Sequence, residues 1–283
     1  MAIARHGTGV KATVGAFASQ VHPVFMLPPL ASSLFGGLLA GDLSIPLAGI
    51  HLVAVFSGLY TAHVKDGYVD FYHRDEDEDH PLTATGCHVA LAGATAWFAF
   101  ALAAIYLLVG PLAALLTLPG WVIGFFHAPQ LDMHPVTATA GYPMGIALAL
   151  LGGFYVQAET VTAISLAFAL IFLVVLSGIK VVDDTQDYEY DRSIGKRTVA
   201  VTLGRHRARQ TAYGLMLVGL LAVIALSAAG IFPPSSVFAP LVFAAVAAVT
   251  RRTDAELSTK LLIRGSYLFL AALVTAVWFQ PLG

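Results

Sequence analysis

Two acidic clusters stand out by residue type and spacing. The first contains His63, Asp66 and Asp70 and runs on through Asp75, Glu76, Asp77, Glu78 and Asp79. The second contains Asp183, Asp184, Asp187, Glu189 and Asp191, followed closely by Lys196 and Arg197. At 3.6 residues per turn, His63, Asp66 and Asp70 share one helix face, and Asp183, Asp187 and Asp191 stack at i, i+4 and i+8. Stacked carboxylates repel one another and weaken an isolated helix. A compensating cation is therefore expected. Mg²⁺ takes hard oxygen ligands, typically one or two carboxylates together with substrate phosphates. Two such sets facing each other, with Lys196 and Arg197 behind, would bind a diphosphate through bridging Mg²⁺. Glu76, Asp77, Glu78 and Asp79 are consecutive, do not share a helix face, and are expected in a solvated loop.

The elements that must position these residues follow from composition. Of the 283 residues 58% are hydrophobic and 11% charged, and the mean hydropathy is +0.78. A soluble domain carries about 25% charged residues, so a water-soluble fold is excluded. The 15 basic and 17 acidic residues give no basic excess for nucleic acid. The single cysteine, Cys87, excludes an intrachain disulfide framework and a cysteine-rich zinc site. The apolar runs are continuous and not alternating, which excludes a single-chain β-barrel.

A membrane helix needs roughly 20 mostly apolar residues. Nine segments qualify, at about 17–41, 44–63, 88–109, 111–128, 138–156, 160–182, 211–232, 234–250 and 261–280. Pro23, Pro28 and Pro29 are expected to kink the first or delay its start. It begins late and is read as a retained helix, not a cleaved leader. The expected fold is all-α and integral to the membrane: one domain, 1–283, of nine helices around a central cavity. With nine spans, all 15 basic residues fall on one side, together with the amino terminus and both acidic clusters. The positive-inside rule places that side in the cytoplasm of a cell-membrane protein. A diphosphate held inside such a bundle implies an apolar tail in the membrane, the form of an isoprenyl diphosphate.

At these residues the chain resembles the UbiA superfamily of membrane prenyltransferases. Asp183, Asp187 and Asp191, then Gly195, Lys196, Arg197 and Thr198, then Leu203 and Gly204, match that family's second Asp-rich motif. Asp66 and Asp70 fit the first motif, with Asp75 or Asp77 as a third acid, and His63 or Ala62 stands where Asn is usual. His80, Pro81, Leu82 and Thr83 are similar to the Arg-Pro-Leu-Pro segment that follows, and His22 with Pro23 to an Arg-Pro before the first span. Within the family the menaquinone type is nearest. Its N-x-x-N-x-Y-x-D pattern is approached by His63, Asp66, Tyr68 and Asp70, and its G-x-x-Y-V-Q by Gly152, Tyr155, Val156 and Gln157. Gly141 and Tyr142 stand where a Gly-Glu pair is expected.

The resemblance implies Mg²⁺-dependent transfer of an isoprenyl group from its diphosphate to an aromatic quinone precursor or another lipid acceptor. Asp66, Asp70, Asp183, Asp187 and Asp191 would hold the metal, and Lys196, Arg197 and His63 would contact the diphosphate. The allylic cation left behind needs a water-poor, aromatic-lined cavity, for which Tyr68, Tyr72, Tyr188 and Tyr190 are candidates; the alternative places these four in an interfacial aromatic belt. His51 is expected to hydrogen-bond between helices, His127 and His134 to lie in a loop or at a helix end, with contact to an acceptor or action as a base as the alternative, and His73, His80, His88 and His206 to face solvent or the interface. A terpene synthase on the same scaffold would use the same carboxylates without an acceptor. A cation-coupled transporter would place its carboxylates near the midplane, whereas these acids map to loops and helix ends. Asp70→Ala or Asp187→Ala is expected to abolish turnover without unfolding the protein, read by product formation and thermal melting; full activity in either contradicts the assignment.

Overall fold

The computed structural model describes residues 2–282. In chain order the helices are α1 (Gly9–Ala18), α2 (Pro23–Leu39), α3 (Ile45–Tyr72), α4 (Ala84–Leu108), α5 (Pro111–Phe126), α6 (Pro135–Ala158), α7 (Ala163–Asp183), α8 (Tyr188–Ser193), α9 (Val199–Leu203), α10 (Arg205–Ala228), α11 (Phe238–Thr250) and α12 (Ala255–Phe279). Several begin on readable signals. Proline occupies the first turn of α2, α3, α5 and α6, where its missing N–H costs nothing. The side chains of Thr83, Thr162 and Asp254 cap α4, α7 and α12.

Seven stretches are each long and apolar enough to cross a bilayer: α3, α4, α5 with the π-helical turn His127–Leu131, α6, α7, α10 and α12. The α1–α2 pair, bent by 63°, supplies an eighth if taken together. The remaining expected segment, 234–250, is a 3₁₀ turn leading into the 13-residue α11. At 1.5 Å per residue α11 spans about 20 Å, short of a hydrocarbon core of about 30 Å. By length alone seven or eight crossings are supported where the hydropathy count gives nine, because α2 and the 234–250 segment are each 17 residues long. The outward surface carries Trp97, Phe100, Leu107 and Leu241, a composition suited to lipid.

Close helix contacts depend on missing side chains. A Cβ on Gly36 of α2 would lie 2.0 Å from the Leu150 carbonyl oxygen of α6, and one on Gly153 of α6 would lie 2.2 Å from that of Ser33. Where lipid offers no less apolar environment than a neighbouring helix, such backbone approach is a main source of association. Gly152 and Gly153, part of the menaquinone-like segment, are thus packing residues. Gln157 of the same segment accepts from the Ser44 N–H at 2.8 Å and so ties α6 to the start of α3.

Helix α2 has a second requirement. Pro28 and Pro29 lack the N–H groups that the Val24 and Phe25 carbonyls would otherwise accept. Tyr142 of α6 donates its hydroxyl to the Phe25 carbonyl at 2.6 Å, and Tyr267 of α12 donates to that of Val24. The carbonyls freed by the two prolines are thereby clamped from two neighbouring helices. Gly36→Ala is expected to lower the melting temperature in detergent sharply. Gly214→Ala, in α10 where an added Cβ meets nothing within 4 Å, is expected to leave it unchanged; equal effects contradict the close-packing account.

Candidate functional site

A cavity of about 410 Å³ lies among α2, α3, α5, α6 and α7, with contributions from α4 and α12. On α3 its lining runs from His51 to Asp66, about 22 Å along the axis at 1.5 Å per residue. Most of the wall is apolar. Its charged lining residues are Asp66, Lys180 and Asp183, with His22, His63 and His127 beside them. His22 and His63 stack with ring centroids 4.8 Å apart, and His127 Nε2 lies 4.0 Å from Asp66 Oδ1. Toward the other end, His51 is buried and shares a 2.7 Å hydrogen bond with Ser33, linking α3 to α2 as expected.

The first motif is presented on a longer helix than the apolar run implies. Helix α3 continues to Tyr72, so His63, Asp66 and Asp70 do lie on its last turns. The second motif is not one helix. Helix α7 ends at Asp183, a turn follows, and α8 starts at Tyr188. Asp183, Asp187 and Asp191 therefore do not stack at i, i+4 and i+8 on a continuous face. The cause is local. Thr185 Oγ1 donates to the Val182 carbonyl at 2.6 Å, and Gln186 Nε2 donates to Asp183 Oδ1 at 3.1 Å and Thr259 Oγ1 at 2.8 Å. Such side-chain bonds compete with helix continuation. Asp191 is buried and Asp187 exposed. Burial pushes the Asp191 carboxyl above its usual range, and the nearby Lys196 ammonium pulls it back.

The two motifs are joined through residues that spacing alone does not single out. Arg74 Nη1 lies 3.1 Å from Asp70 Oδ1 and 2.7 Å from Asp132 Oδ2. Lys196 Nζ lies 3.6 Å from the same Asp132 oxygen and 3.5 Å from Asp191 Oδ1. A chain of alternating charges thus runs from α3, through the α5–α6 connection, to the segment after α8. Asp132 did have a sequence signature: it is the only Asp, Glu, Lys or Arg between Asp79 and Glu159. A lone carboxylate in so apolar a stretch requires a partner. On α7, Lys180 Nζ lies 2.9 Å from Asp183 Oδ2 and 2.7 Å from Asp184 Oδ1.

Other expectations divide. Glu76, Asp77, Glu78 and Asp79 are exposed, and Asp79 pairs with His6 at 2.8 Å. Arg197 is exposed, with its backbone N–H on the Met133 carbonyl. His134 caps α6. His127, at the end of α5, reaches the cavity wall. His80, expected to face solvent, is buried; it sits above Gly67, and its Nδ1 accepts from the Leu82 N–H at 3.2 Å. Tyr68, Tyr72, Tyr188 and Tyr190 do not line the cavity, because hydrogen bonds and stacking hold them on the loop side. Its aromatic wall comes from Phe25, Phe98, Trp121 and Tyr142.

Comparison with known proteins places this architecture. No curated protein matches the chain in sequence. Among solved structures, a digeranylgeranylglyceryl phosphate synthase is similar with a TM-score of 0.74 at 13% identity, covering 95% of this chain and 98% of that one. A UbiA homologue from Archaeoglobus fulgidus bound to GPP and Mg²⁺ gives 0.69 at 15% identity, covering 95% and 99%. The apo structure of a UbiA homologue from Aeropyrum pernix K1 gives 0.71 at 15% identity, covering 90% and 98%.

The charge chain makes a direct prediction. Asp132→Asn leaves Arg74 and Lys196 short of a partner, and breaking a buried ion pair costs about 3–5 kcal/mol. Adding Arg74→Met removes one stranded cation and is expected to recover part of the lost melting temperature. Strictly additive losses in the double variant contradict the bridge.

Residues 30–273 match the UbiA prenyltransferase family, and the chain belongs to it.

Proposed function

We propose that the cavity holds the apolar tail of an isoprenyl diphosphate, with the diphosphate at the end bounded by Asp66, Lys180 and Asp183, and that the enzyme transfers the prenyl group to an aromatic or lipid acceptor. The chain is a prenyltransferase by family. The observation that carries the finer reading is the polarity of the cavity: about 410 Å³ with a mostly apolar wall and its charged lining gathered near the two Asp-rich segments.

The donor set fits Mg²⁺. It consists of carboxylate oxygens, and next to Asp183 the buried Asp184, outside the set, leaves its Oδ2 without a hydrogen-bond partner, a sign of uncompensated negative charge at this rim. Among the described residues no three His, Cys, Asp or Glu side chains form a ready cage. This suits an ion held by few carboxylates and completed by substrate phosphates. Asp66, Asp70, Asp183, Asp187 and Asp191 are the residues that would hold it. When bound, Mg²⁺ neutralises the diphosphate and eases its departure.

The remaining work falls to the chain. Lys196, positioned by Asp132 and Asp191, and Arg197 offer charge-assisted contacts to phosphate oxygens. His63, stacked on His22, bounds the same end. Phe25, Phe98, Trp121 and Tyr142 present aromatic surface to a developing allylic cation. The apolar wall excludes water that would quench it. The gathering of the basic residues in the segments around both motifs and the amino terminus supports a cytoplasmic setting for this end.

The test is release of inorganic diphosphate from geranylgeranyl diphosphate in detergent, alone and with aromatic or lipid acceptors. Release that needs both Mg²⁺ and an acceptor, stops with EDTA and yields a prenylated acceptor is expected. Release with only a hydrocarbon or alcohol product makes the protein a synthase. No release under any condition contradicts the reading.

A further inference from the structure

Among the described residues, Lys180 is the only lysine or arginine that lines the cavity. It sits in the last turn of α7, within a membrane-spanning helix, where an ammonium requires compensation. Asp183 and Asp184 provide it at 2.9 and 2.7 Å. An ammonium has three donors. Two are used by these carboxylates, and the third remains for the cavity. Lys196 is engaged by Asp132 and Asp191, and Arg197 is exposed; neither lines the cavity. Lys180 is thus the cation at the boundary between apolar wall and carboxylate rim.

We propose that Lys180 binds the diphosphate at its prenyl-bearing end, donating a hydrogen bond to the bridging oxygen. The inference rests on the reading of the cavity as a prenyl diphosphate site. With the tail in the apolar space, the bridging oxygen lies at this boundary. As the allylic C–O bond breaks, its electron pair stays on that oxygen. The ammonium stabilises the new charge without giving up its proton; a nucleophilic carbon or oxygen of the acceptor forms the new bond to the carbocation and loses one proton to solvent, and diphosphate leaves. On this assignment Asp183 and Asp184 hold Lys180 in place, whatever metal contact Asp183 also makes.

A structural role and a substrate contact are separable. Lys180→Met strands two carboxylates; Lys180→Met with Asp184→Asn removes one of them. The double variant is expected to recover the melting temperature but not function. Its kcat with geranylgeranyl diphosphate should stay about 100-fold down, the size of a lost transition-state donor. Its affinity for inorganic diphosphate should fall about tenfold, with Mg²⁺ and in EDTA alike. Recovery of wild-type turnover and diphosphate affinity overturns the proposal and leaves Lys180 a counter-ion. A measurement on the wild-type protein covers failure of the variants to fold: bound inorganic diphosphate should protect Lys180 from reductive methylation, and unchanged labelling at saturation overturns the proposal. If the wild type binds diphosphate through Lys180 but turns over no prenyl diphosphate, the substrate reading fails while the anion contact stands.

Discussion

The structure depends on keeping charge solvated or paired at the edge of an apolar interior. Carboxylates near the end of a lipid-embedded cavity lose hydration, and each then requires a cation, a hydrogen-bond donor or a proton. The protein answers with alternation. Asp70, Arg74, Asp132, Lys196 and Asp191 form one chain of opposite charges, and Lys180 with Asp183 and Asp184 forms another. These groups tie three separate stretches of sequence together. An anionic substrate with its own divalent counter-ions is compatible with such a rim, because it adds charges of both signs together.

Helix packing serves the same end. The cavity can exist because α2 and α6 meet through glycines and leave the larger side chains to the walls. The paired prolines of α2 leave two carbonyls unpartnered within the helix, and Tyr142 and Tyr267 take them over from α6 and α12. Tyr142 also lines the cavity, so the residue that fixes α2 contributes to the surface a prenyl chain would meet. In water such hydrogen bonds would compete with solvent. In lipid the alternative is an unsatisfied carbonyl, which makes the clamp more specific than its modest energy suggests.

Fold class and motif positions were legible in the sequence because both rest on local signals. Long apolar runs identify membrane helices, and helical spacing placed His63, Asp66 and Asp70 correctly on α3. The second motif misled because its periodicity is perfect while its turn chemistry is not. Thr185 and Gln186 offer side-chain hydrogen bonds that end α7 at Asp183, and periodicity does not register that competition. Helix length alone supports seven or eight of the nine expected spans, and the 234–250 segment runs back along α10 to bring Thr250 against Arg209 and Tyr213. His80 was misplaced because burial in a loop depends on distant chain, here the packing of 80–82 back onto α3. Asp132 needed tertiary contacts to show its partners, although an isolated charge in an apolar stretch was itself a signal; the partners of Lys180, at i+3 and i+4, were within reach of helical spacing.

The most direct measurement of the cavity's role is photolabelling in membranes with a prenyl diphosphate that carries a diazirine at the far end of its tail. Label is expected on cavity-lining residues of α3 and α5 well below Asp66, such as Ala54 and Trp121, and is expected to be lost when unlabelled prenyl diphosphate competes. Label confined to outward residues such as Phe100 and Leu107, or unchanged by competitor, contradicts the placement of the tail inside the bundle.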